Sequence, residues 1–208
     1  FLRMLYLWFI KKPQAYRKVL RFHTLLSVFS AGMAGLALEL VILYTFQNNF
    51  GNIYYIIGFI IAVFMFGLPF GAAAANNLVR RIDDRDPVKR DARIIRLIIL
   101  TQAFMGFVSL TLPYLMNLFS GDVIVHQIII FAETICIGLA VGFLFPLSIH
   151  LYMDKTDETG KTAGIIDAFD HVGAAVGAFF VGTLFLPVIG VEKVCLLIAI
   201  FPFISAFL

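Results

Sequence analysis

The sequence predicts an all-α polytopic transmembrane helix bundle with about six spans. Its composition, its long apolar runs and the placement of its basic residues all support this prediction. Apolar residues make up 61% of the 208 residues and charged residues 14%, whereas soluble domains have roughly 45–50% and about 25%. The mean hydropathy is +0.96. Because a soluble domain of this size cannot bury so much apolar surface, soluble enzymes, nucleic-acid-binding proteins and disulfide scaffolds are excluded.

The apolar runs define the predicted spans. About 20 apolar residues in a helix cross a hydrocarbon layer of about 30 Å. The runs that reach or approach this length are residues 24–47, 53–79, 94–119, 123–152, 162–189 and 191–208. We therefore expect residues 24–208 to form the bundle. Residues 1–23 are expected to form a truncated or interfacial segment with a basic cytoplasmic stretch, and the chain is expected to continue beyond both ends.

Basic residues alternate between the connections. Fourteen of the 16 Lys and Arg residues lie in residues 11–21, 80–96 and 155–161. The connections on the other side carry almost none. Because basic loops stay in the cytoplasm, this asymmetry predicts a multi-pass membrane protein with these three segments inside. Acidic residues are interleaved with the basic ones, so the expected partner is the lipid bilayer and not a nucleic acid.

Pairs of small residues recur with a spacing of four in the predicted spans. Such pairs allow two helix backbones to approach closely within a membrane. The pairs are Ala31 with Gly35, Gly67 with Gly71, Gly138 with Gly142, and Gly173 with Gly177. The spacing predicts close helix packing.

Five ionisable residues far from the span ends stand out: the acids Glu39, Glu133, Asp167 and Asp170, and the neighbouring His171. An ionisable side chain in the membrane costs about 2.5–3.5 kcal/mol on insertion scales, so each one is a candidate functional residue. At 100° per residue, the last three share a face of the fifth span with small residues. We therefore expect all three to point into the bundle and away from lipid.

Three interpretations of these residues remain open. They fix helix packing through hydrogen bonds, they line a cavity for a cation, a proton or a polar head group, or they bind a metal. The spacing of Asp167 and His171 places an acid and an imidazole one helical turn apart, as a metal site requires. Cys136 and Cys195 lie in apolar runs and are expected to be small buried residues. The sequence predicts no catalytic residue, no bound metal and no cofactor.

Several motifs resemble the membrane part of bacterial spermidine-synthase-like proteins. They are residues 30–39 (SAGMAGLALE), 50–54 (FGNIY), 62–71 (AVFMFGLPFG), 142–147 (GFLFPL) and 170–178 (DHVGAAVGA). The resemblance extends over about residues 27–195. It implies a multi-span bundle in a prokaryotic cytoplasmic (inner) membrane, with Glu39 and Asp170 at the positions of the family's acids. Asp167 and His171 differ from the family's pattern.

The resemblance also carries expectations about function. Such proteins are sometimes fused to a soluble domain of the aminopropyltransferase type, but no Gly-rich nucleotide-binding motif is present in this sequence. The expected function is therefore to bind or pass a small polar or cationic molecule, or to dock a catalytic or redox partner. Other protein subunits or a missing soluble domain are the expected partners. The alternative is a non-catalytic membrane subunit of a respiratory or electron-transfer complex.

The predicted orientation can be tested by thiol labelling. In a variant with Cys136→Ala and Cys195→Ala, single cysteines at Asn49 and Arg81 should react with an impermeant maleimide from opposite sides. We expect Asn49→Cys to be labelled in spheroplasts and Arg81→Cys only after the membrane is opened. A permeant maleimide should label both and serves as the control. Labelling of both positions from outside would contradict the orientation.

Overall fold

A computed structural model describes residues 13–51, 54–82, 87–118, 123–153 and 158–207. Every regular element within these ranges is helical. The elements are α1 (Pro13–Phe50), α2 (Tyr54–Val79), α3 (Pro87–Leu118), α4 (Val123–Tyr152), α5 (Thr159–Phe179), a π-helical segment (Phe180–Phe185) and α6 (Leu186–Phe207). The predicted all-α class is therefore confirmed. Most of the segment predicted at 1–23 lies outside the described residues.

Five helices in the described ranges are long and apolar enough to cross a membrane. This number is consistent with a multi-pass membrane protein but is one lower than the expected count of about six. The difference has a structural cause. The runs predicted at 162–189 and 191–208 belong to one helical stretch, Thr159–Ala206, which has no separate connecting loop.

Gly190 interrupts this stretch and reverses the chain. Its backbone has φ 77° and ψ 169°, a conformation with positive φ that residues bearing a Cβ avoid. Before it, Gly177 of α5 packs on Met33 of α1. After it, Ser205 Oγ of α6 donates a hydrogen bond to Ser27 Oγ of α1 at 3.2 Å. The segments before and after Gly190 therefore both pack along α1, and they run in opposite directions.

Helix α1 lies in the centre of the bundle. It contacts α3, α4, α5 and α6, and it is the most buried of the five candidate spans. Helix α2 is the least buried and packs almost entirely on α4. Its buried residues form a single narrow stripe: Ile60, Phe64, Gly67, Gly71 and Ala75. The rest of α2 presents large apolar side chains to the surroundings, as expected of a helix that contacts lipid.

Two glycine-lined contacts hold parallel helices together. Between α2 and α4, a Cβ at Gly71 would collide with the carbonyl oxygen of Leu139, and one at Gly142 with that of Leu68. Between α1 and α5, a Cβ at Gly173 would collide with the carbonyl oxygen of Phe29. We call these contacts the α2–α4 seam and the α1–α5 seam. They confirm the close packing predicted from the small-residue spacing.

Two basic residues of α1, Arg17 and Arg21, connect three helix ends on one side of the bundle. Arg21 Nε donates a hydrogen bond to the Tyr152 carbonyl oxygen at 3.2 Å, and its guanidinium carbon lies 5.0 Å from the centre of the Tyr152 ring. Arg17 Nη1 lies 4.0 Å from Asp91 Oδ2. These contacts join the start of α1 to the end of α4 and to the start of α3. The arrangement agrees with the alternation of basic residues along the chain.

The α2–α4 seam predicts a position-dependent effect of adding one methyl group. Gly71→Ala should lower the free energy of unfolding by about 1–3 kcal/mol, because the helix backbones must separate to admit the Cβ. Gly58→Ala on the same helix is the matched control, since no heavy atom lies within 4 Å of its Cβ position. It should be neutral or slightly stabilising. Thermal unfolding in detergent measures both, and equal effects would contradict the role of the seam.

Candidate functional site

Glu133 is one of the two buried carboxyl groups among the predicted site residues. It lies on α4 with 7% of its surface exposed. Thr111 Oγ1 on α3 lies 3.2 Å from Glu133 Oε1 and 2.9 Å from the Val108 carbonyl oxygen, and the two acceptors share the single hydroxyl proton. The second oxygen, Oε2, is inaccessible and has no hydrogen-bond partner among the described residues. A buried carboxyl oxygen without a partner is costly, so this atom has an unused capacity to bind a proton or a cation.

The surroundings of Glu133 are small and weakly polar. The Cys136 and Cys195 thiols lie within electrostatic range of its carboxyl group. Cys195 is fully buried and Cys136 half-buried, which agrees with their expected role as small buried residues. Ser109 Oγ donates a hydrogen bond to the Cys195 carbonyl oxygen at 2.7 Å. The site therefore has the low polarity in which a single charge interacts strongly.

Glu39 is the second interior carboxyl group. It lies on α1 with 5% of its surface exposed. Within the described ranges no side chain or backbone group donates a hydrogen bond to it. At 100° per residue, Glu39 shares one face of α1 with Gly32 and Gly35, and all three residues are buried.

Asp170 lies in the α1–α5 seam. It is half-buried, and a Cβ at Gly32 would lie 2.7 Å from its Oδ1 atom. Gly32 thus provides the space that the Asp170 side chain occupies. Gly32 is eleven residues from Arg21, so Asp170 lies about 16 Å from the basic end of α1, well within the membrane-spanning length.

Asp167 and His171 lie on the outside of the bundle, so the expectation that they point inward is wrong. The exposed side-chain fractions are 57% for Asp167 and 74% for His171. The two side chains pair with each other: His171 Nδ1 lies 3.5 Å from Asp167 Oδ1 and 2.9 Å from the Asp167 carbonyl oxygen. The five predicted residues therefore form two interior carboxyl groups, one seam carboxyl group and one outward-facing pair.

The error has a clear physical reason. The buried stripe of α5 consists of Thr162, Ile166, Gly173 and Gly177. At 100° per residue, this stripe is turned by about 120° from the face that carries the other small residues of the fifth span. Gly173 and Gly177 fix the rotation of α5 because only they allow the backbone contacts with α1. Asp170 lies at the edge of the stripe, and Asp167 and His171 lie beyond it.

A buried amide was missed by the sequence reasoning. Gln102 on α3 is fully buried, and its Nε2 donates a hydrogen bond to the Ser27 carbonyl oxygen at 2.6 Å. Its Oε1 has no partner among the described residues. Ser205 on α6 also bonds to Ser27, so three helices meet at one polar point. An amide within the apolar run 94–119 is the signal in the sequence that marks this residue.

The metal-binding interpretation has no support in the described residues. Nowhere within them do three side chains of His, Cys, Asp and Glu come together in a way that could hold a metal ion. Asp170 faces α1 while Asp167 and His171 face outward.

A comparison with protein-family models, with curated proteins and with solved structures finds no match for this chain.

Proposed function

We propose that this chain is the membrane domain of a spermidine-synthase-like protein and that its interior binds a small cationic molecule. The carrying observation is the Glu133 carboxyl group, which is enclosed between α3 and α4 with one oxygen bonded to Thr111 and the other without a partner. An ammonium group would donate a hydrogen bond to Oε2 and compensate the buried charge. Such charge-assisted bonds are shorter and stronger than neutral ones.

The second interior carboxyl group favours a ligand with more than one positive charge. Glu39 on α1 and Glu133 on α4 belong to helices that pack directly on each other. A polyamine carries several ammonium groups on a flexible apolar chain. It would therefore place positive charges near both carboxyl groups while its methylene groups contact the apolar core.

We also propose an orientation of the bundle in the membrane. Counting the legs before and after Gly190 separately gives six crossings, with the basic helix ends on one side. We place that side in the cytoplasm of a prokaryotic cell, on the strength of the positive-inside rule. Asn48 and Asn49 at the end of α1 would then face the periplasm.

A second candidate function is the docking of another membrane subunit, including one of a respiratory or electron-transfer complex. The Asp167–His171 pair supports it. Asp167 lies six residues from Lys161, or about 9 Å along α5, and His171 lies one turn deeper. An ionisable pair that faces lipid is unfavourable, whereas a partner helix with a polar side chain would compensate it.

The cation-binding proposal predicts an effect of Glu133→Gln. This variant keeps the shape and the Thr111 hydrogen bond but removes the negative charge. Binding of radiolabelled spermidine to the protein in nanodiscs should weaken at least about tenfold, as expected for the loss of a charge-assisted hydrogen bond. Asp167→Asn on the outer face is the control and should bind as the wild type does. Equal affinity of Glu133→Gln and wild type would overturn the proposal.

The docking function predicts position-dependent crosslinking. A photo-crosslinking amino acid at Val172, beside the pair, should capture the same protein in repeated preparations from native membranes. The same amino acid at Val188, which is 78% exposed on the same stretch of chain, should capture lipid only. Combining Asp167→Asn with His171→Gln should abolish capture at Val172. If capture survives that double substitution, the pair does not dock the partner.

A further inference from the structure

A polar cavity opens at the end of the bundle opposite the basic helix ends. Its volume is about 410 Å³. It lies between the carboxyl-terminal ends of α1 and α3, the amino-terminal end of α4 and the residues just after Gly190. None of the five ionisable residues predicted from the sequence lines it. The cavity is therefore separate from the Glu133 site.

Polar side chains from four helices converge on this cavity. They are Asn48 and Asn49 of α1, Asn117 of α3, His126 of α4 and Glu192 of α6. The remaining wall is largely apolar and includes Phe50 and Met116. A mixture of apolar walls with a few convergent polar groups is typical of small-molecule sites.

Glu192 is held in position at the cavity. Asn117 Nδ2 donates a hydrogen bond to its Oε1 at 3.0 Å. Among the described residues, no donor reaches the other oxygen, Oε2. Of the lining residues in the described ranges, Glu192 is the one acidic residue, and no Lys or Arg joins it. The cavity therefore presents one oriented negative charge together with amide carbonyl oxygens.

We propose that this cavity binds a primary ammonium group carried on a short carbon chain. An ammonium group has three N–H donors and no acceptor, which fits one carboxylate oxygen and neighbouring amide carbonyl oxygens. The carbon chain would contact the apolar wall. A divalent metal fits less well, because Ca²⁺ takes six to eight oxygen ligands and usually more than one carboxylate.

The same ammonium chemistry has two possible sources at this location. The cavity lies at the end of the spans, where lipid head groups and water meet. The ligand is then either a soluble alkylamine or the ethanolamine head group of a phospholipid. This inference does not depend on the proposed interior site, because the two sites share no residue.

Two binding measurements on the full chain separate these sources. In phosphatidylcholine nanodiscs, free ethanolamine should give a saturable saturation-transfer NMR signal if the ligand is soluble. In nanodiscs that also contain phosphatidylethanolamine, native mass spectrometry should show one retained phosphatidylethanolamine if the ligand is a lipid. Either result supports the proposal. Absence of both would overturn it.

Substitutions locate the binding at the cavity. Glu192→Gln keeps the shape and the Asn117 contact but should weaken the observed binding at least about tenfold. Lys193→Gln changes the adjacent exposed charge, which does not line the cavity, and should leave binding unchanged. Asn49→Ala, a second lining variant, should weaken it about threefold. Wild-type binding in both lining variants would contradict the proposal.

A further variant separates this inference from the interior site. Glu133→Gln should retain full ethanolamine or phosphatidylethanolamine binding, whereas Glu192→Gln should retain spermidine binding at Glu133. If Glu133→Gln abolished both, there would be one shared site and the separate outer site would be wrong.

Discussion

Direct contact between the backbones of parallel helices is the constraint on which the rest of this bundle depends. Apolar side chains gain little by leaving lipid for another apolar surface, so helices in a membrane associate through close packing and hydrogen bonds. Here the glycines of the α2–α4 seam and the α1–α5 seam bring carbonyl oxygens of one helix to the Cα atoms of the next. The peripheral helix α2 has almost no other contact, so its attachment depends on its seam.

The same contact determines which polar groups are enclosed. Because Gly173 and Gly177 lie against α1, helix α5 has a fixed rotation about its axis. That rotation places Asp170 at the seam and turns Asp167 and His171 outward. A rotation of about 120° would turn Asp167 and His171 inward instead. The distinction between an interior site and a docking surface is thus a consequence of two glycines.

The carboxyl groups of Glu133 and Glu192 differ in surroundings more than in chemistry. Each has one oxygen bonded to a neighbour, Thr111 or Asn117. Glu133 is enclosed in the bundle, where a charge is expensive and a bound cation interacts strongly. Glu192 is exposed at the bundle end, where water competes for it. A cation bound at the proposed interior site would therefore lose most of its water, whereas one bound at the proposed outer site would stay in contact with water.

The sequence by itself determined the all-α class, the membrane-crossing runs and the close packing at the small-residue pairs. These properties follow from local composition and spacing, which need no knowledge of the partner helix. It also identified Glu39 and Glu133 as candidates, because charge in an apolar run is visible in the sequence. The sequence also placed a boundary between two spans at residue 190, but only the tertiary structure decided that the chain reverses there without a connecting loop. It also decided the rotation of α5 and the convergence of Asn48, Asn117 and Glu192. The physical reason is that the rotation of a helix depends on which neighbouring backbone it contacts. Residues on separate helices that meet in space are far apart in the sequence, and no local pattern shows that they are close.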